Sequence, residues 1–325
     1  MKLFLSTLLL GPLLSVAGAS TAMAAERGTI IREAIVYLSP DSSSAKLAQA
    51  ERGREVVLLD KSRNWVQVEA MLGFAHAPDS AFVADDEAER RTVTGWILDT
   101  GIVWPSTPNG DRILFGAAVD SEDEASRRHG RRGADQDALR LYYRVYDIFP
   151  SSPLAAEALY RAADIKWQVD KADMQSRPSA HEKENYYRQG INEDQMRLVM
   201  KKFPGTKWAD LAAFHLIDNK LCGEWQGASK CPDLEAELYE KYAKEHPQSP
   251  ANPEALYDAA FRRAALIEIY KTEDKSKKSD KSKDEAVAIA QQLISQYPQS
   301  EWSWRGQMLL YLVQQGVPTY GNAVQ

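Results

Sequence analysis

The residues able to do chemistry are few and scattered. Two cysteines, Cys222 and Cys231, have eight residues between them. In an oxidising compartment such a pair tends to be bridged, and closing so short a loop contributes on the order of 3 kcal/mol by the chain-entropy argument. The competing chemistry is a metal site with His215, but a useful zinc site wants four ligands, or three and a water, and His215-x6-Cys222-x8-Cys231 is not a familiar ligand spacing. The five histidines, at 76, 129, 181, 215 and 246, show no ligand spacing either. The chain has no phosphate-binding G-x-x-x-x-G-K-[ST], no H-E-x-x-H and no G-x-S-x-G. No catalytic, metal or cofactor site is therefore expected. The carboxylates Glu157, Asp164, Glu254 and Asp258 sit near the starts of helical segments, where an acid favourably meets the helix dipole. His215, between Phe214 and Leu216, is expected as a satisfied, semi-buried side chain.

Aromatic residues are the stronger candidates for binding. Trp65, Trp96 and Trp104 either line a groove on an N-terminal β-domain or, for Trp65 and Trp96, pack its core. Trp167, Trp208, Tyr257 and Tyr311 either face a partner, where aromatic side chains often anchor an interface, or pack between helices.

These side chains must be held by elements that the hydrophobic pattern distinguishes. Residues 1–24 have the layout of a cleavable secretory signal: Lys2, an apolar run from Leu3 to Val16, then Ala22-Met23-Ala24. The run falls short of the ~20 residues that cross a bilayer, and no cysteine near the cleavage site offers lipid attachment. The expectation is a periplasmic or secreted protein with no transmembrane segment in its mature part. Its formal net charge of −6 argues against nucleic-acid binding, which needs concentrated Lys and Arg.

Residues 29–104 read as β. Short runs such as Ile35-Val36-Tyr37, Val56 to Leu59, Trp65 to Val68 and Gly95 to Leu98 alternate with turn residues, the pattern of a small all-β barrel or sandwich. Residues 69–94, with Pro78 and the acidic run Asp85-Asp86-Glu87, read as an insertion before the last strand. Residues 105–133 read as a linker, in which Ile113-Leu114-Phe115 could open a short helix and five basic residues follow at Arg127 to Arg132.

From Ala134 the period changes to 3.6. Ala138, Leu141, Tyr142, Val145 and Phe149 make one apolar stripe, and Ala286, Ile289, Ala290, Leu293, Ile294 and Tyr297 make another. A punctuation mark recurs: Phe149-Pro150-Ser151-Ser152, Phe203-Pro204-Gly205-Thr206, His246-Pro247-Gln248-Ser249 and Tyr297-Pro298-Gln299-Ser300. Pro expels the preceding residue from the α region, and the hydroxyl at the fourth place can cap the next helix. Each period then holds two helices, too small to bury an apolar face alone, so the units must stack. The excess over the 34 residues of a minimal repeat is assigned to three connections within hairpins: Asp173 to Lys183, Cys222 to Cys231, and Lys271 to Asp284, the last as a mobile, solvated loop. The repeats span 134–316, with a tail at 317–325.

Two resemblances follow. IVYLSPDSSS, the Gly53 turn, NWVQV at 64–68 and GWI at 95–97 resemble a bacterial SH3-like (SH3b) domain. YYRVYDIFPSSPLAAEALYRAADI at 142–165 and NPEALYDAAFRRA at 252–264 resemble the tetratricopeptide-type envelope proteins of the BamD outer-membrane assembly family. The implied protein is an α+β chain: an SH3-like β-barrel followed by a helical solenoid with a concave protein-binding surface. The expected partner is an envelope protein or peptide, with peptidoglycan a candidate for the β-module. The rival reading is a peptidoglycan hydrolase or a regulator of one.

Overall fold

The structure is a computed structural model that describes residues 26–72, 91–182 and 190–321. The expected signal segment, Pro78, the acidic run at 85–87 and His76 lie outside the described residues.

Seven short strands form one curled antiparallel sheet, a half-barrel. They are β1 (Arg27–Ile30), β2 (Ala34–Tyr37), β3 (Lys46–Ala50), β4 (Glu55–Ser62), β5 (Trp65–Leu72), β6 (Arg91–Leu98) and β7 (Ile102–Val103), in the order β3-β2-β6-β5-β4-β1-β7. Alternation sets the faces. Val66, Val68 and Ala70 point inward with Val36, Val56, Ile30 and Ile97, and all are buried. The 69–94 segment is less of an insertion than its composition suggests. The pairs Glu69↔Thr94, Ala70↔Val93, Met71↔Thr92 and Leu72↔Arg91 continue the ladder, because Val68 and Ala70 keep the two-residue period and Thr92-Val93-Thr94 suits a strand.

The segment read as a linker contains a helix, α1 (Gly110–Ser126). Leu114, Ala118 and Ser121 make its buried stripe, a pattern too sparse and too acidic to be conspicuous in sequence. Leu114 and Ala118 share a core with Val103 of β7 and with Ala138, Leu141 and Tyr142 of the next helix. The acids and bases there are partly paired: Tyr142 Oη donates to Glu122 at 2.5 Å, Arg161 donates to the same carboxylate at 3.0 Å, and Arg127 pairs with Glu124 at 2.7 Å.

Among the described residues eight further α-helices follow: α2 (Ala134–Ile148), α3 (Ala155–Ser176), α4 (Asp194–Lys202), α5 (Lys207–His215), α6 (Lys230–Glu245), α7 (Asn252–Thr272), α8 (Ser276–Gln296) and α9 (Glu301–Gln315). The Pro mark separates the helices within each of four hairpins, so the long connections expected within hairpins fall between them instead, and the geometry of the mark's first and fourth residues repeats. Phe149, Phe203, His246 and Tyr297 end their helices at φ −122, −130, −124 and −130°. Each N–H donates to the carbonyl four residues back, at 2.9–3.0 Å. The fourth-place hydroxyls of Ser152, Thr206, Ser249 and Ser300 accept from the backbone N–H of Leu154, Ala209, Ala251 and Trp302, at 3.1–3.3 Å.

The hairpins stack in series. Residues of α3 belong to the core it forms with α1 and α2 and to the next core with α4 and α5. Likewise α7 contributes to the core with α6 and to the core with α8 and α9. The chain is thus an α+β protein: a curled β-sheet followed by stacked helical hairpins.

The expected Lys271–Asp284 loop is instead a tight turn at Glu273-Asp274-Lys275 and two turns of α8. Ser279 and Ser282 are buried in step with Ala286, Ala290 and Leu293. Small residues let α8 approach α7, and Ser279 Oγ donates to the carbonyl of Ile267 at 2.8 Å. The lysines point outward, with Lys275 and Lys278 over the Tyr270 ring at 5.9 and 5.3 Å. Composition alone hid a period carried by serine. In the same way α3 runs through Asp173 to Ser176, and a short 3₁₀ turn, Pro178–His181, follows. Cys222 and Cys231 are bridged across the start of α6, so neither is available as a thiolate ligand.

The sheet docks directly on α2. Arg144 pairs with Glu55 at 2.6 Å and with Asp147 at 2.7 Å; Arg27 reaches Asp147 at 3.1 Å and also pairs with Glu55. Burial pushes the Glu55 carboxyl up, and the two arginines more than reverse it. Arg140 Nε donates to the carbonyl of Arg52 at 2.9 Å. Beside it, Gly53 has φ +75°, and a Cβ there would lie 2.5 Å from Arg140 Cβ. Left-handed backbone alone costs a non-glycine residue about 1–2 kcal/mol, and the clash adds to it. Gly53→Ala is expected to lower the thermal midpoint by several degrees and to open the sheet–α2 junction to limited proteolysis; an unchanged midpoint would contradict this docking.

Candidate binding site

The structure divides the seven aromatic candidates, with Tyr311 exposed on α9. Gln67 pairs with Trp96, Tyr37 pairs with Trp96, and Trp65 pairs with Leu98. These residues therefore share the sheet face opposite Val66, Val68 and Ile97. Trp65 and Trp96 do not pack the barrel core: they lie together on its outer side. Trp65 meets the edge of Tyr37 at 5.5 Å and is only 9% exposed, while Trp96 is half-buried. Trp104 is elsewhere, in the sheet core, against the Cα of Gly28, where any side chain would strike its ring.

In the helical array, α3, α5 and α7 present adjoining faces. Tyr160, Asp164, Trp167 and Lys171 follow one another at helical spacing along α3. Trp208 and His215 sit two turns apart on α5, and Glu254, Asp258 and Arg262 ascend α7. Three of these helices start immediately after a Pro mark, which is why equivalent faces come into line. Tyr160 lies against Trp208, ring centroids 5.3 Å apart, and Lys207 covers Trp208 at 4.3 Å. His215 Nε2 lies 3.1 Å from Asp164 Oδ1 and 3.2 Å from Tyr160 Oη. Trp167 Nε1 donates to Asp218 Oδ2 at 3.1 Å, and Lys171 pairs with the same oxygen at 2.8 Å.

This geometry decides between binding and catalysis. A His-centred relay needs its carboxylate on one ring nitrogen and the reacting group on the other. Here the carboxylate and the phenol both address Nε2, so His215 is a hydrogen-bonded bracket between helices. Trp167 is 1% exposed and is core, with its N–H satisfied by Asp218. Tyr257 packs on Trp302 of α9 at 5.4 Å and joins hairpins together. Trp208 is the half-buried indole left at this surface. Among the described residues, no group of three His, Cys, Asp or Glu side chains is placed to hold a metal ion, and no helix is long and apolar enough to cross a membrane.

The carboxylates, unremarked in the sequence beyond their helix-start positions, are the feature sequence reasoning missed. Asp164, Asp218 and the Glu254–Asp258 pair of α7 come from three separate stretches of chain, and only folding gathers them. Burial pushes the Asp164 carboxyl up, and His215 more than reverses it, leaving Asp164 below its usual range. Glu254 and Asp258 go the other way. Burial raises Glu254, and the charges of Asp258 and Asp218 raise it further. Burial likewise raises Asp258 against the opposing pull of Arg262, which bonds it at 2.9 Å. Glu254 has no ion-pair or hydrogen-bond partner among the described residues.

The sign of each shift fixes a pH dependence. Ionised Glu254 destabilises the fold above its raised value, and the penalty vanishes below the unfolded value near ~4.3. Glu254→Gln is therefore expected to raise the thermal midpoint by roughly 2 °C at pH 7–8, with the gain gone by about pH 4. Asp164→Asn should do the reverse: its carboxylate stabilises above the unfolded value, and that support is lost as pH falls through the lowered folded value. Scanning calorimetry of both variants across pH checks the pair; a Glu254→Gln gain that persists at acid pH would contradict the burial of a charged carboxylate.

No protein-family model matches this chain, and no curated protein matches it. Among solved structures, a chain described as "DHF58 filament" is similar over 63% of this chain and 91% of its own length, at 14% identity and a TM-score of 0.23. At that TM-score the likeness carries no argument.

Proposed function

We propose that this chain is an exported binding scaffold of the cell envelope, in which the helical array holds a protein or peptide and the β-module contacts a second protein or cell-wall material. In this reading the sheet is an SH3-like domain, the hairpins are tetratricopeptide-like repeats, and the face shared by α3, α5 and α7 is the concave surface. The observation that carries the proposal is that face. Its helices follow the repeated mark, it leaves Trp208 half-buried at the surface, and it holds Glu254 half-buried with no ion-pair or hydrogen-bond partner among the described residues, its carboxyl raised by burial. Residues that weaken a fold while adorning an accessible surface are commonly kept for binding. The disulfide and the absence, among the described residues, of a membrane-crossing helix support an exported setting.

The test is affinity capture from native envelopes with the full-length chain. Wild type should enrich a discrete set of envelope proteins. Trp208→Ala and Glu254→Lys should each reduce recovery by about tenfold, the loss associated with an interface hot spot, while circular dichroism remains unchanged. Equal recovery by folded variants would remove this face from the proposal. Incubation with purified peptidoglycan tests the β-module: pelleting without released fragments agrees with binding, and released fragments would replace the scaffold reading with a hydrolase.

A further inference from the structure

The last helix is apolar on two opposite sides. Ser303, Gly306, Leu309 and Val313 of α9 are buried against the array. On the far side Trp304, Met308 and Tyr311 are 60%, 55% and 62% exposed. A helix that is apolar all round is normally covered, and the terminal unit of a stacked array normally carries a polar outer face. The described tail does not cover this side: it leaves α9 at Gly316 and returns to place Tyr320 on Trp225, ring centroids 5.1 Å apart.

We propose that Trp304, Met308 and Tyr311 form a homodimer seam, on which α9 of a second copy packs antiparallel across a two-fold axis. The stripe advances by four residues and then three, with Gln315 four further on, which is the spacing of a seam between two paired helices. A helix pair at the open end also continues the packing direction of the hairpins, so the array extends by its own rule. The charges select the direction. Antiparallel pairing sets Met308 against Tyr311 of the second copy and keeps the two Glu301 side chains at opposite ends of the seam. Parallel pairing would instead bring Glu301, seven residues before Met308 in the same register, against its own image. Area agrees: aromatic side chains of about 150–250 Å² each, exposed to this degree, leave roughly 300–400 Å² of apolar surface per copy. With the flanking Gln307, Leu312 and Val317, two copies reach the ~1,000 Å² at which specific interfaces begin. The seam is remote from Trp208 and is independent of what the proposed binding face holds.

Sedimentation of the full-length chain from about 1 to 100 µM, bracketing micromolar affinity, reads the assembly directly. Wild type should pass from monomer to dimer. Met308→Glu and Tyr311→Glu, at exposed positions, should each remain monomeric throughout with an unchanged circular dichroism spectrum. Wild type that stays monomeric across the range, or a dimer that survives both charges, would overturn the proposal. Direction is read by cross-linking, since no free cysteine is present among the described residues. Met308→Cys should oxidise to a covalent dimer. Trp304→Cys should not, because antiparallel packing holds its two copies about 16 Å apart at 1.5 Å per residue; Trp304→Cys cross-linking as readily would overturn the antiparallel seam.

Discussion

One backbone arrangement governs the C-terminal two-thirds of this molecule: the four-residue mark that stops one helix, turns the chain and starts the next. At Phe149, Phe203, His246 and Tyr297 the final N–H closes its helix while the ring stays with the outgoing stripe. The proline forbids continuation, and the hydroxyl three residues on captures a free N–H of the incoming helix. All four helix-ending residues adopt nearly the same dihedrals, although the third place is left-handed only at Gly205. Apolar faces that could not be hidden within one hairpin then meet those of the next. His246 shows how far the mark tolerates substitution. It keeps the aromatic shape, stacks on Tyr242 at 4.7 Å, and uses its Nδ1 to reach Asp210 at 2.8 Å.

Local rules were the legible part of the sequence. The marks, the stripes of α2 and α8 and the alternation of β5 follow from spacing, and they carry the α+β architecture. Burial dictated by partners was not legible. The first half of α8 looks like a charged spacer because its buried residues are serines, which a hydrophobic count does not register. The helix α1 was masked similarly, by Glu122 to Glu124 and by an Asn109-Gly110 pair that suggests only a turn. Trp65 illustrates the converse. Its neighbours Val66 and Val68 are core, so a tryptophan beside them invites the same assignment. The pleat nevertheless puts it on the outer face with Trp96 and Tyr37.

The candidate site was legible in its types and not in its grouping. Trp208 was a candidate for its aromaticity, and His215 was expected as a satisfied, semi-buried side chain for its apolar neighbours, but nothing in their spacing connects them to Asp164 or Glu254. That connection is made by three helices aligned in space. The result is an uneven electrostatic surface: Asp164 is secured by His215, and Asp218 by Lys171 and Trp167. Glu254 lies half-buried among Asp258, Asp218, His215 and Lys171 without a bonded partner, and burial with the two acids outweighs the two cations. Proteins keep such local conflicts where another molecule can resolve them, and the fold around this one is otherwise well satisfied.

The ion pairs between the sheet and α2 have a consequence for how two targets could be engaged at once. Modules joined by a flexible tether sample many separations, and the second capture is weakened by the volume they explore. Here Arg144, Arg27 and Arg140 clamp the sheet to the first hairpin, and α1 fills the seam. The distance between the Trp96 face and the Trp208 face is therefore a fixed property of the molecule. Such a body acts as a calliper: it would grip a pair of sites at the matching separation with high effective concentration, and gain almost nothing from pairs spaced otherwise.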